Sequence, residues 1–464
     1  MRKLLIAALV LLCGVVLAGV AAWTLIPIST VGKVDFDTPL AVPPLAGSTV
    51  EDGRRIFDLT AEDHGDTWGF NGAYLGPTLR ASRGEEVEIR VHNELDETTT
   101  VHWHGMHLPA VADGGPHQPI APGDTWAPSW TIDQPAATLW YHPHPHGKTR
   151  EHVRRGLAGM FILDDDATPD GLPSDYGVDD VPVIVQDRGR GLVVNGTEGP
   201  FFDVTAQRTR LRLLNASVER VYELGFSDDR EFALVGTDGG LLPAPVPMTR
   251  IRLSPGERAE VVVEMAPAET VVLRSTEPEL GDNPIAERFN GGSDEFDVLQ
   301  LRAAEHLAAS PELPAALAPA PDLDTSDART RSFELKGRTI NGDKMDMERI
   351  DETVELGTTE IWEVTNADGE HHNFHVHDVQ FQVLDVDGMA RGPELDGWKD
   401  TIFLAPGARV RLALQFTDYA DPSSPYMFHC HLLPHEDSGM MGQFVVVEPG
   451  QSAGDLEGSG HEHH

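Results

Sequence analysis

Histidine is crowded into four widely separated groups of this chain: His102-Trp-His104, His142-Pro-His144-Pro-His146, His372-Asn-Phe-His375-Val-His377, and His429-Cys-His431 followed by His435 and Met440. Successive side chains of an extended strand point to opposite faces, so residues i and i+2 share one. Each His-x-His pair can therefore aim two imidazoles at a single point. A fold that uses them all must bring strands from both ends of the chain to one place. A lone His-x-His pair is common at a surface, but this combination is hard to explain as core packing.

The last group narrows the chemistry. Imidazole suits copper, zinc, iron and nickel. If residues 429–431 are extended, His429 and His431 face one side and Cys430 the other, so one tripeptide serves two metal sites. A thiolate with two imidazoles and a weak Met describes a blue copper site. Cys430, His435 and Met440 fit it, and the second imidazole must come from elsewhere. The remaining His pairs can supply a trinuclear cluster with two or three ligands per copper. Structural zinc prefers several Cys in a closed tetrahedron, which a single Cys among so many His disfavours. His107, His117, His146, His152 and His371 read as solvated or as partners of a ligand. Met441 competes with Met440, and Met427 reads as core.

Asp plus Glu number 75 against 35 Lys plus Arg, a formal net charge of -40. Such a surface repels nucleic acid and anionic headgroups and attracts cations. It reads as a solvated acidic surface before it reads as a metal-gathering field. Of the two Cys, Cys13 lies in an N-terminal apolar run, so Cys430 has no disulfide partner in the folded part. Met1-Arg2-Lys3 precedes an uncharged run from Leu4 to Ile26, the pattern of an export signal or a retained membrane anchor. Val20-Ala21-Ala22 offers a small-residue cleavage site, and the run is also long enough to span a bilayer. A twin-arginine pattern is absent, and Leu12 before Cys13 disfavours a lipoprotein site. The protein is expected outside the cytoplasm, periplasmic or at the cell surface.

A chain of 464 residues accommodates two to four domains. Glu86-Val-Glu-Ile-Arg-Val91 alternates as a half-buried strand, and strand-like segments recur at Val181–Gln186, Arg210–Leu214 and Glu260–Val263. A Pro-Gly turn before an alternating strand appears at Ala121-Pro-Gly123, Ser254-Pro-Gly256 and Ala405-Pro-Gly407, at spacings of about 133 and 151 residues. This predicts an all-β chain of three β-sandwich domains, 36–168, 175–302 and 329–450. Residues 1–30 are the signal or anchor, the Ala/Pro-rich 303–328 a linker, and 451–464 a disordered tail.

These residues resemble the multicopper oxidases, and the resemblance covers most of the chain after the anchor. Thr67-Trp-Gly-Phe-Asn-Gly72, Asp133-Gln-Pro-Ala-Ala137, Val181-Pro-Val-Ile-Val-Gln-Asp187, Asp238-Gly-Gly-Leu-Leu-Pro243 and Gly397-Trp-Lys-Asp-Thr401 are similar to bacterial three-domain enzymes of the laccase and copper-efflux oxidase type. The resemblance implies cupredoxin-like Greek-key domains and four copper ions: one type 1, one type 2 and a type 3 pair. It implies His372, Cys430, His435 and Met440 as type 1 ligands, and His102 and His375 as type 2 ligands. His104, His142, His144, His377, His429 and His431 match the type 3 ligands. Asp113 and Glu436 match carboxylates that deliver protons to oxygen, and Asp368 an acid near the donor site. His435 is the imidazole edge expected nearest the donor.

The implied activity is one-electron oxidation of a reductant coupled to reduction of O2 to water. Four departures bear on it. Asn373 replaces the usual Pro and Asp378 the usual Gly. Glu370 replaces a Met, and the Met-rich cover of copper-efflux oxidases is reduced to Met345 and Met347. A phenol or aromatic amine is therefore as well matched to the donor site as Cu(I). The alternatives are a copper nitrite reductase, which needs no type 3 pair, and a non-catalytic, copper-buffering cupredoxin protein. The sequence leaves oligomeric state open.

Overall fold

Strand Glu86–Asn93 buries Val87, Ile89 and Val91 while the residues between them stay partly exposed. That alternation is what a strand with one face on a core and one on water requires. It pairs in parallel with Arg54–Asp63, and the arrangement recurs twice. Asp180–Arg188 runs parallel to Arg208–Asn215, and Arg329–Lys336 parallel to Thr359–Asn366. In each case the second strand of the pair is met, antiparallel, by the strand that follows a Pro-Gly turn: Thr125–Trp126, Arg258–Glu264 and Arg409–Gln415. Gly123, Gly256 and Gly407 all have positive φ, +82°, +90° and +78°. A turn with Pro first and a left-handed second residue favours glycine there, so the sequence repeat marks the same structural corner three times.

The computed structural model describes residues 27–456. The expected anchor at Leu4–Ile26, Cys13 and the terminal histidines lie outside the described residues. Among the described residues no helix is long and apolar enough to cross a membrane. The chain is mostly β, with two sheets in each third. Three large cores lie between them, around Trp103 and Phe161, around Tyr222 and Phe296, and around Trp362 and Phe428. A smaller apolar cluster, Trp140, Met160 and Ile162 against Ile184 and Leu214, joins the first sandwich to the middle one.

Two stretches differ from the sequence expectation. Thr38–Pro39, expected within the first sandwich, pairs with Pro200–Phe201 and adds an edge strand to a sheet of the middle one, where a proline's missing N–H is tolerated. Strand Phe296–Ala308 runs into the segment expected as a linker, because it is held on both sides by Pro200–Ala206 and Thr270–Thr276.

A buried ion network lies where the first and middle sandwiches meet. Asp180 accepts from Arg210 and Arg212, and Arg212 also donates to Glu260 and to Thr138. Burial pushes the Asp180 carboxyl up, but Arg212 and Arg210 together hold it below its usual value. Removing one partner leaves charge buried and unpaired. Asp180→Asn should therefore cost about 3–5 kcal/mol in urea unfolding. A change under about 1 kcal/mol would mean the network is worth no more than a surface pair.

Candidate metal centre

Antiparallel pairing builds the first half of the site. His102–His104 lies antiparallel to Ala137–His142, with His102 opposite His142 and His104 opposite Trp140. In the third sandwich, His372–Val376 lies antiparallel to Asp421–His429, with His375 opposite His429. The first and third sandwiches are locked together by Ala110, which enters the third core, and by the Tyr426 hydroxyl, which donates to the Leu108 carbonyl at 2.7 Å. The two His-bearing edges consequently face each other. His102, His104, His142, His144, His375, His377, His429 and His431 fill the gap, each no more than 1% exposed.

Burial pushes seven of these rings toward the neutral form. His104, His142, His375, His377 and His429 fall well below the ordinary imidazole value, and His144 and His431 to about 3. Neutral imidazole is the ligating form. Backbone carbonyls set the tautomers. His102 Nδ1 donates to the Asp113 carbonyl and His375 Nδ1 to the Asp400 carbonyl, both at 2.9 Å, while His142 Nδ1 donates to the Pro143 carbonyl at 2.8 Å. His102 Nε2 and His375 Nε2, and both ring nitrogens of His431, have no hydrogen-bond partner among the described residues. Unpartnered buried polar atoms are costly in a folded protein, and lone pairs aimed into one gap fit a bound cation. His144, His377 and His429 form one such trio, with Nε2 atoms 3.2 and 3.3 Å apart.

Two carboxylates flank the gap. Asp113 Oδ2 accepts from His377 Nδ1 at 2.8 Å. Glu436 lies 3.2 Å from His429 Nδ1 and 3.6 Å from His144 Nδ1, in neither case aligned for a hydrogen bond. Burial pushes its carboxyl well above the usual range, which favours the protonated form.

Cys430 faces away from that gap. Its Sγ lies 3.5 Å from His372 Nδ1 and 3.6 Å from His435 Nδ1, and the two nitrogens are 3.1 Å apart. Met440 is fully buried in the same core, and its carbonyl accepts from the Cys430 N–H. Burial raises the Cys430 thiol to about 12 and lowers His372 to about 4 and His435 to about 2. A thiolate here needs a cation beside it. His435 and Glu436 sit on a single helical turn, Leu433–Asp437, so they leave the strand that carries His429.

The outer edge of the Cys430 site is a cleft. His435, His371, Arg338, Glu370 and Phe289 line it, and no methionine is among its described lining residues. Asp368 lies behind His372, with Oδ2 3.4 Å from its Nε2, where it holds the ring with Nδ1 toward Cys430. Several histidines stay outside both groups: His107 pairs with Asp378 at 2.7 Å, His152 with Thr99 at 3.0 Å, and His371 with Asp282 at 3.1 Å. Sequence reasoning missed Asp400, which stands among the imidazoles with His104 and His375. Its only local signal is the segment Gly397-Trp-Lys-Asp-Thr401. Asn373 was noticed only as a departure; its amide donates to the Pro255 carbonyl at 2.9 Å, tying the Cys430 site to the middle sandwich.

Comparison with known proteins agrees with this geometry. Residues 55–168 and 314–450 match two family models, each described as "Multicopper oxidase". The chain is 33% identical to multicopper oxidase mco of Staphylococcus aureus, over 90% of this chain and 94% of that protein. It is 35% identical to cell division protein FtsP of Escherichia coli, over 88% and 92%. The crystal structure of a laccase from Pediococcus acidilactici superposes with a TM-score of 0.80 at 35% identity, covering 88% of this chain and 94% of that one.

Copper bound by a thiolate absorbs visible light through sulfur-to-metal charge transfer. The copper-loaded chain should be blue, and Cys430→Ser should abolish that absorption while copper on the histidine cluster remains. A colourless loaded protein would rule out a thiolate ligand.

Proposed function

The chain belongs to the multicopper oxidase family, and on that premise we propose an oxidase that takes single electrons from a small reductant and reduces O2 to water. Bound copper supplies the one-electron acceptor at Cys430 and the oxygen-reducing centre among the histidines. His372, Cys430, His435 and Met440 would hold the type 1 ion. His102 and His375 would hold the type 2 ion. One type 3 ion falls to His104, His142 and His431, the other to His144, His377 and His429, four copper ions in all. The observation that carries this reading is the back-to-back tripeptide. Cys430 joins two imidazoles on one side, while its neighbours His429 and His431 meet five imidazoles on the other.

The residues divide the work. His435 lines the outer cleft, so its ring edge is the entry for electrons. The peptide bonds on either side of Cys430 lead from there to His429 and His431. Glu436, whose burial favours its protonated form and which lies against His144 and His429, would give a proton to the reduction of oxygen. Asp113 orients His377 through Nδ1 and stands ready to pass a second. A copper nitrite reductase would not need His104, His142, His144 and His377 together. A non-catalytic role has one observation in its favour, the likeness to a protein named for cell division, but the retained ligand set favours turnover. The three cupredoxin-like units are assigned to 36–168, 175–302 and 329–450, and export follows from the N-terminal segment.

The cleft without methionine favours an organic donor as much as Cu(I). Oxygen uptake by the copper-loaded protein should give a kcat/KM for a methoxyphenol within about tenfold of that for Cu(I). A far larger preference for Cu(I) would assign the cleft to the metal. No uptake with either donor would leave the non-catalytic reading.

A further inference from the structure

The proposed metal-binding nitrogens fall into two classes. His102, His142, His375 and His377 each give their Nδ1–H to an oxygen of the chain, which leaves Nε2 as the free lone pair. His104 is reversed. Its Nε2 lies 3.1 Å from Asp400 Oδ1, and its Nδ1 faces His142 Nε2 at 3.4 Å. A carboxylate only accepts, so the ring nitrogen beside it carries the proton.

Asp400 is itself fixed by the middle sandwich. Arg258 reaches it with both terminal nitrogens at 2.7 Å, and Thr401 Oγ1 donates to Oδ1 at 2.9 Å. Arg258 spends its other donors on the Thr138, Gly256 and Asp238 carbonyls, and is fully buried. The approach is possible only because neighbours lack side chains. A Cβ on Gly105 would meet Asp400 Oδ2 at 2.5 Å, and one on Gly256 would meet His104 and His431 at 3.2 Å.

We propose that Asp400, held by Arg258, is a positioning residue that fixes the proton of His104 on Nε2 and so presents Nδ1 to the type 3 copper. The middle sandwich supplies no proposed ligand, and Arg258 is its hold on the His104 side of the cluster. This rests on the assignment of His104, His142 and His431 to one ion. Partners that orient a ligand are worth about 10–100-fold in metal affinity.

The test is copper retention against a graded chelator, read as copper per chain and as the share of copper silent in electron paramagnetic resonance. Asp400→Asn should lose the silent, paired copper about 10–100-fold more readily and keep the blue band of the Cys430 site. Asp180→Asn breaks the other buried ion network, at Arg210 and Arg212, and touches neither Arg258 nor Asp400. It should lower the melting temperature and leave copper retention unchanged. Equal retention by Asp400→Asn and wild type, or equal losses in both variants, overturns the role. If Asp400→Asn does not fold, Asp400→Glu keeps the charge facing Arg258 but displaces the oxygen, and the same loss is expected; retention equal to wild type overturns it. Nitrogen NMR of the copper-free, 15N-histidine-labelled protein reads the tautomer without copper. A proton on Nδ1 of His104 overturns the role of Asp400. A wild type that binds no silent pair overturns the oxidase assignment instead.

Discussion

Eight imidazoles share a dry gap between the first and third sandwiches, and most must keep a lone pair turned inward. Desolvation favours the neutral form of seven of them: two fall to about 3 and five lie well below the ordinary value. Neutral rings with facing nitrogens gain nothing from one another, since two acceptors cannot form a hydrogen bond. A cation relieves all of them at once. The surrounding structure is arranged so that this lone-pair display survives folding without one. Carbonyls of Asp113, Pro143 and Asp400 take the outward ring protons, and Asp113 takes that of His377.

The middle sandwich contributes no proposed ligand, yet the site depends on it. Arg258 grips Asp400 beside His104, and the Ser254-Pro-Gly256 turn accepts the Asn373 amide beside Cys430. Gly256 in that turn leaves room for His104 and His431. The repeat that marks a corner in all three sandwiches has thus been put to use in one of them. The Cys430 site follows the same physics with a different result. A buried thiol at about 12 and two low imidazoles form a trio that a cation would organise, with only His435 near the outside.

Much of the site was legible in the sequence because strand alternation is local. His102-Trp-His104 and His429-Cys430-His431 fix which side chains share a face, and the period of two needs no knowledge of the rest of the fold. The all-β class was legible for the same reason in segments such as Glu86–Val91, and Pro-Gly turns revealed the threefold repeat. What stayed hidden joins distant residues. Arg258 and Asp400 are separated by 142 positions, and Asn373 reaches Pro255 across 118. No period connects such pairs. Thr38–Pro39 was unreadable as an edge strand because its partner, Pro200–Ala206, lies in another sandwich. His371 beside Asp282 looked like any spare histidine, and its neighbour is supplied by the middle sandwich across the cleft.

The proposed oxidase stands on one connection: electrons that arrive at Cys430 would continue through its peptide bonds to the histidine cluster. Anaerobic titration of the copper-loaded protein with a one-electron reductant tests it directly, by following the blue absorption. If the sites are joined, early electrons redistribute to the cluster, and complete bleaching takes about four equivalents per chain, one for each copper ion. Complete bleaching after about one equivalent, with the cluster still oxidised, would contradict the account.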